Sequence, residues 1–208
     1  MFIQVIRGKL ADEAGFRKTI DRFDTEVKPG AIGYLGTTAG VLDGGGFVIC
    51  ARFESEDLAM QNSDRPEQGA FFAEASKNFD GEPTFYNVTD IEPWLAGGSD
   101  DAGFVQVIQG RVSDPERFRH FMEQPMDMLH EQRPEIIGGT IAMEPDGWFT
   151  ETVAFRSEDE AREGERKEMP EEARRDWEQE MATMRDVTYL DLHHPWFASA
   201  PSRGMSMS

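Results

Sequence analysis

The stretch FIQVIRG at residues 2–8 returns as FVQVIQG at residues 104–110, and the displacement of 102 positions persists along most of the chain. Asp12 answers Asp114, Phe16-Arg17 answers Phe118-Arg119, and Phe53 with Ser55-Glu56-Asp57 answers Phe155 with Ser157-Glu158-Asp159. Pro93-Trp94 answers Pro195-Trp196. A repeat on this scale means one structural unit written twice. The predicted boundaries are 1–96 for the first module, 97–103 for a Gly/Ser/Asp linker, 104–199 for the second module and 200–208 for a Pro/Ser/Gly/Met tail.

Within each module the hydrophobic period changes in the same order. Phe2 to Arg7 alternates as a strand, then Phe16, Ile20, Phe23 and Val27 recur at helical spacing. Their counterparts are Phe118, Met122, Pro125 and Leu129, and Pro125 should interrupt the second version of that helix. Two strands then flank a turn, at Asp43-Gly44-Gly45-Gly46 in the first copy and Pro145-Asp146-Gly147 in the second, which reads as a hairpin. Ser55 and Ser157, each followed by Glu-Asp, are N-cap signatures opening a second helix. Closing strands are expected at 84–91 and 187–193.

The order is βαββαβ twice, an α+β class with two tandem ferredoxin-like modules. Both helices of such a module cover one face of a four-stranded sheet, leaving the other face bare. The duplication supplies a partner for it, so the two sheets are expected to pack face to face as an intramolecular pseudo-dimer. Trp94 and Trp196, at equivalent places beyond the last strands, are expected to anchor one module to the other.

Through FIQVIRG and FVQVIQG, each followed by an amphipathic helix, and ARFESEDLA and VAFRSEDEA, each entering the second helix, the chain resembles the dimeric α+β barrel proteins. Among these it is most similar to the antibiotic biosynthesis monooxygenase group, and the segment NSDRPEQG is similar to that of a tandem-duplicated subgroup. The resemblance implies an intramolecular dimeric α+β barrel with a ligand pocket between sheet and helices. It spans cofactor-free oxygenases, haem degraders, isomerases and peroxidase-like enzymes. Haem-degrading relatives hold iron with a histidine in the second helix, where this chain has Asn62 and Gly164, so no haem is expected.

Composition removes other classes. Forty acidic against 21 basic residues give a net charge of −19, which repels phosphate backbones and argues against nucleic acid as a partner. A mean hydropathy of −0.56 and the lack of any apolar run near the ~20 residues of a spanning helix argue against the membrane, and no signal-peptide pattern opens the chain. The single Cys50 suits a reducing compartment, so a cytoplasmic location is expected. Gly44-Gly45-Gly46 sits in a hairpin and offers no phosphate cradle, and no G-x-S-x-G nucleophile motif is present.

Candidate site residues are those that break the apolar pattern. Gln4 and Gln106 occupy strand positions where an aliphatic residue would pack, and are expected to hydrogen-bond to each other across the seam between modules. Glu151 replaces Ile49 on a face shared with Phe149, Val153 and Phe155, where a desolvated carboxyl would suit a general base. Asp191 and His193 could form an oriented acid–base pair; two such ligands without a third make no metal site, and none is expected. His120 reads as a solvated helix residue, and His130 as a helix C-terminal imidazole facing the dipole. Arg65 and Asn62 could orient a substrate oxygen at a pocket rim. Phe71 and Ala75 become Ala173 and Trp177 in the second copy, which reads first as compensated core packing and could equally give the two halves differently shaped cavities.

These features predict a barrel that binds a small aromatic molecule, without a cofactor. The site is expected in the second half, with substrate held between Trp148, Trp177 and Glu151. The reaction suggested by the resemblance is cofactor-independent oxygenation of a planar phenolic or quinone-like compound. The alternative is a non-catalytic ligand-binding or stress-related barrel, and association into a higher oligomer stays open.

Overall fold

The computed structural model describes residues 1–122 and 131–200. Pro125, Leu129, His130 and the tail from residue 201, and with them the expected helix interruption, lie outside the described residues, as do the side chains of Met122 and Ala173. The first copy runs β1 (Phe2–Lys9), α1 (Glu13–Ile20), a single turn α2 (Phe23–Glu26), β2 (Tyr34–Val41), β3 (Gly46–Phe53), α3 (Glu56–Ser63), α4 (Pro66–Ser76), β4 (Thr84–Val88) and β5 (Ile91–Leu95). The second runs β6 (Phe104–Val112), α5 (Pro115–Met122), β7 (Ile136–Met143), β8 (Trp148–Phe155), α6 (Glu158–Glu165), α7 (Glu171–Met181), β9 (Met184–Leu192) and β10 (Trp196–Ser199).

The helix starts follow the expected chemistry. Asp12 accepts from the Gly15 amide at 2.9 Å and Ser55 from the Leu58 amide at 3.3 Å. In the second copy Asp114 accepts from Arg117 at 3.0 Å and Ser157 from Glu160 at 3.2 Å. Each satisfies an amide that the helix itself leaves without a partner. Among the described residues, no helix is long and apolar enough to cross a membrane.

The two sheets are antiparallel and five-stranded, in the orders β10-β2-β3-β1-β4 and β5-β7-β8-β6-β9. The expected fourth strand at 84–91 is two strands, because the chain leaves the first sheet after Val88 and β5 pairs with β7 of the second. In return β10, from the end of the second repeat, pairs with β2 of the first sheet. The compact units therefore cross the repeat boundaries. One comprises residues 1–39, 44–87 and the chain from Trp196; the other comprises 40–43 and 88–195. Each of the two tryptophans, Trp94 and Trp196, thus belongs to a strand that completes the sheet of the other repeat.

In the second unit Trp94 joins Phe104, Ile136, Val153, Phe155 and Ala161 in one buried cluster, and Phe118, Ile141, Met143 and Phe149 form another with Val112. In the first, Phe2, Tyr34, Phe53 and Ala59 are the counterpart. Burying each such aromatic contributes about 1.5–3 kcal/mol, so these helix-facing clusters do most to hold the helices on the sheets. Residues of opposite strand parity, such as Val5, Val48 and Cys50 in the first sheet and Val105, Val107 and Thr150 in the second, are buried too.

Gln4 and Gln106 lie on the helix-covered faces. Strand parity therefore directs each amide into its own unit, and the expected bond between them is replaced by bonds within each sheet. Gln4 Nε2 donates to Asn87 Oδ1 at 3.0 Å, and Gln106 Nε2 to Asp191 Oδ1 at 2.8 Å. The two bonds show that Asn87 and Asp191 are structural equivalents, at a displacement of 104 rather than the 102 that sets Asp191 against Thr89.

Candidate functional site

In the first unit a cavity opens between the sheet and its helices, with about 90 Å3 accessible to the centre of a water-sized molecule. That is several times the roughly 10–15 Å3 needed for one water. Its floor is Gln4 and Ile6 of β1 and Ile49, Ala51 and Phe53 of β3; its roof is Ile20, Phe23 and the α4 residues Phe71, Phe72 and Ala75. Trp196 of β10 forms one wall, edge-on to Phe23 with ring centroids 5.7 Å apart. The polar members are Gln4, Tyr34, Thr37, Asn62, Ser63 and Gln68.

The register of the exchanged strands shapes this cavity. Trp94 pairs with Gly139, whereas Trp196 pairs with Ala39, two residues further along its partner strand once the repeats are aligned. Ala198, opposite Thr37, takes the place that Trp94 fills in the second unit. The Tyr34 hydroxyl donates to the Ala198 carbonyl at 2.7 Å and shares a 2.7 Å hydrogen bond with the Thr37 hydroxyl. A small residue thus replaces a tryptophan at this end of the first unit, beside the cavity.

Asn62 is buried and Arg65 lies behind it. Asn62 Oδ1 accepts from the Ile32 amide at 3.0 Å and from Arg65 Nη1 at 3.1 Å, and its Nδ2 is 3.4 Å from Gln68 Oε1. Arg65 Nη1 also donates to the Val27 carbonyl at 3.3 Å. The guanidinium therefore ties the α3–α4 junction to the segment before β2 instead of reaching a ligand, and only Asn62 lines the cavity. In the second unit Gly164 stands at the position of Asn62, and the Arg133–Glu135 ion pair fills the space a side chain there would need, with Lys167, counterpart of Arg65, 4.0 Å from Glu135. Sequence reasoning missed this pair, because neither residue breaks a hydrophobic period.

The residues expected to hold substrate in the second half do not share a site. Trp148 and Glu151 differ in strand parity and so lie on opposite faces of β8. Arg111 lies over the Trp148 ring, 5.7 Å from its centroid. Trp177 is 45 % exposed on α7. Glu151 pairs with Ile108 and Ile141 on the helix-covered face, and burial pushes its carboxyl up to about 7. It occupies the position of the cavity-lining Ile49.

Asp191 and His193 are not hydrogen-bonded to each other. Asp191 is held by Gln106 and by Arg162, whose guanidinium lies 5.1 Å from the Phe104 ring centroid. Arg162 also meets Glu158 at 3.3 Å and Glu165 at 3.0 Å. The partner of His193 is Glu158, with Nδ1 to Oε2 at 2.6 Å, and Asp43 lies 3.6 Å from Nε2. His120 is exposed. Among the described residues, no group of three or more His, Cys, Asp or Glu is placed to hold a metal ion.

The Glu158 hydrogen bond raises the His193 imidazolium above its ordinary range. A raised folded-state value means that the His193–Glu158 contribution is fully present below about pH 6.5 and is lost as pH rises through the folded value. The stability difference between the wild type and His193→Gln should accordingly shrink from pH 6 to pH 8 in urea titrations. A difference independent of pH would show that the ion pair is not formed.

No protein-family model matches the chain, and no curated protein matches it in sequence. Solved structures do share its fold. A candidate monooxygenase from Lactobacillus acidophilus NCFM superposes with a TM-score of 0.73 at 14% identity, covering 96% of this chain and 96% of that one. One from Fusobacterium nucleatum subsp. nucleatum gives 0.71 at 10% identity, over 92% and 90% of the two chains. An anthrone oxidase-like protein gives 0.66 at 10% identity, over 96% and 93%. At these identities the likeness is one of fold.

Proposed function

We propose that the first unit binds a planar, uncharged aromatic compound of phenolic or quinone type in the cavity between its sheet and helices. The composition of the lining carries the proposal: Phe23, Phe53, Phe71, Phe72 and Trp196 supply aromatic surface, Gln4, Asn62 and Gln68 supply amides, and among the described residues of the lining there is no Asp, Glu, His, Lys, Arg or Cys. A charged ligand would stay uncompensated in such a lining, whereas ring oxygens can take amide N–H groups. The fold shared with candidate monooxygenases and with an anthrone oxidase-like protein makes anthrone a natural first probe.

Cofactor-independent oxygenation of that class is compatible with the site. In such a step the ring methylene of an anthrone becomes a carbonyl; one atom of O2 enters the product and the other leaves as water with the two hydrogens. Binding without turnover is a second reading, and one observation favours it. Among the described residues of the lining Tyr34 is the one ionisable group, and its hydroxyl is held by Ala198 and Thr37.

Calorimetric titration of the intact chain with 1-naphthol and with anthrone tests the binding. Saturable binding is expected, weakened about three- to tenfold by Gln4→Leu, the worth of one hydrogen bond. Absence of binding by both probes, or an unchanged affinity in Gln4→Leu, would overturn it. Oxygen consumption with anthrone then separates turnover from simple binding.

A further inference from the structure

The second unit presents different chemistry on the equivalent face. Glu92, Ile141, Glu151, Ile108 and Tyr189 form one row across β5, β7, β8, β6 and β9, each paired with the next. Glu151 stands at the centre of this row, between the buried cluster that holds Phe149 and the one that holds Val153 and Phe155. Among the described residues, no hydrogen bond or ion pair ends on its carboxylate. Of the other carboxylates near this face, Asp191 is committed to Gln106 and Arg162 and Glu165 to Arg162, while Glu92 is exposed at the β5 end of the row.

The covering helix also differs. Ala75 of α4 is 4 % exposed, while its counterpart on α7, Trp177, is 45 % exposed. Tyr189, at the end of the row, is 52 % exposed. Glu151 and Ile108 are half-buried, so solvent reaches the row.

We propose that this row is a second binding site, specific for a small primary amine with an aromatic body, whose ammonium pairs with the Glu151 carboxylate while its ring lies on Ile108 and Tyr189. A carboxylate in apolar surroundings and without a partner is complemented by a ligand that brings a cation. An anion would be repelled, and a neutral ligand would leave the carboxylate unpaired. The net charge of −19 adds to the selection by concentrating cations near the surface. Tyr189 supplies a ring face against which the ligand's aromatic body can pack. The site is independent of the first-unit cavity.

The test is a calorimetric titration of the intact chain at pH 8 with benzylamine, and with benzyl alcohol as the neutral probe of similar shape. Benzylamine should saturate at one equivalent, and benzyl alcohol should bind at least about tenfold more weakly, the discrimination expected of a charge-assisted hydrogen bond. Glu151→Gln keeps the shape and should lose that preference; Glu151→Asp keeps the charge and should retain most of it. Gln4→Leu, in the first unit, should leave benzylamine binding unchanged. Failure of benzylamine to saturate, equal affinity of the two probes, or undiminished benzylamine binding by Glu151→Gln would each overturn the site.

Discussion

Gly139→Ala is expected to destabilise the second unit by on the order of 3 kcal/mol, the upper range for overpacking a closed core. A methyl group at this position would sit well inside van der Waals contact of the Thr152 carbonyl oxygen and 2.8 Å from the indole ring of Trp94. A side-chain end could swing aside, but a strand carbonyl cannot without disturbing the β7–β8 ladder, which is already irregular between Ile136 and Gly138. The first unit carries the reverse arrangement, Thr37 opposite the small Ala198. Thr37→Ala there loses a hydroxyl contact with Tyr34 and should cost only about 1 kcal/mol. Urea midpoints of the two variants, followed by circular dichroism, give the comparison. Gly139→Ala within about 0.5 kcal/mol of the wild type would mean that Trp94 is not seated over this glycine.

That pair also marks where the sequence stopped being legible. The repeat, the strand periods and the Ser-Glu-Asp caps are local patterns that correspond to elements of the structure, whereas the helical run Phe16, Ile20, Phe23 and Val27 is divided, with α1 ending at Ile20, α2 spanning Phe23–Glu26 and Val27 outside both. The exchange of β5 and β10 is not a local pattern. Pro93-Trp94 and Pro195-Trp196 signal a strand end equally well whichever sheet receives them, and the choice is made by ladder partners over a hundred residues away or on the other side of the linker. The two-residue difference in register between Trp94 and Trp196 is similarly invisible, yet it leaves Ala198 where the other unit has a tryptophan. The cavity described above lies in the first unit, whereas the site is expected from the sequence in the second half.

For the site residues the dividing line was strand parity. Glu151 was legible because a carboxylate among Phe149, Val153 and Phe155 breaks the apolar side of an alternation, and the structure keeps it on that face. Trp148 was misassigned to the same site although it is three residues away and therefore on the opposite face. Gln4 and Gln106 were correctly singled out as polar residues needing partners, but the partner of each is a residue of the adjacent edge strand, Asn87 or Asp191. Strand alternation puts Asp191 and His193 on one side, but β9 ends at Leu192, and a two-residue insertion before that strand hides the equivalence of Asp191 to Asn87. Arg65 was singled out for its charge, and the structure employs that charge on the Val27 carbonyl and the Asn62 amide.

Glu151→Ile should stabilise the protein at pH 8 by about 2–3 kcal/mol and make little difference at pH 4.5. The carboxyl has an ordinary value of 4.5, and burial raises it to about 7 in the folded chain. Between those values the native state holds a proton that the unfolded state has released, so the contribution of Glu151 to stability is full below pH 4.5 and is lost as pH rises through 7. A shift of this size corresponds to roughly 3 kcal/mol, trimmed because the residue keeps some exposure to water. Isoleucine is what the first copy carries at the equivalent Ile49, so the shape is compatible with the fold. Urea unfolding of wild type and variant between pH 4.5 and 8 should show the gap opening across that interval; a gap that stays constant with pH would mean the carboxyl is solvated in the native state. Benzylamine adds a second constraint. At pH 8 a bound ammonium compensates the carboxylate in the folded state alone, so saturating amine should raise the stability of the wild type and narrow the gap. Glu151→Ile offers no charge to compensate, and its unfolding midpoint should stay where it is.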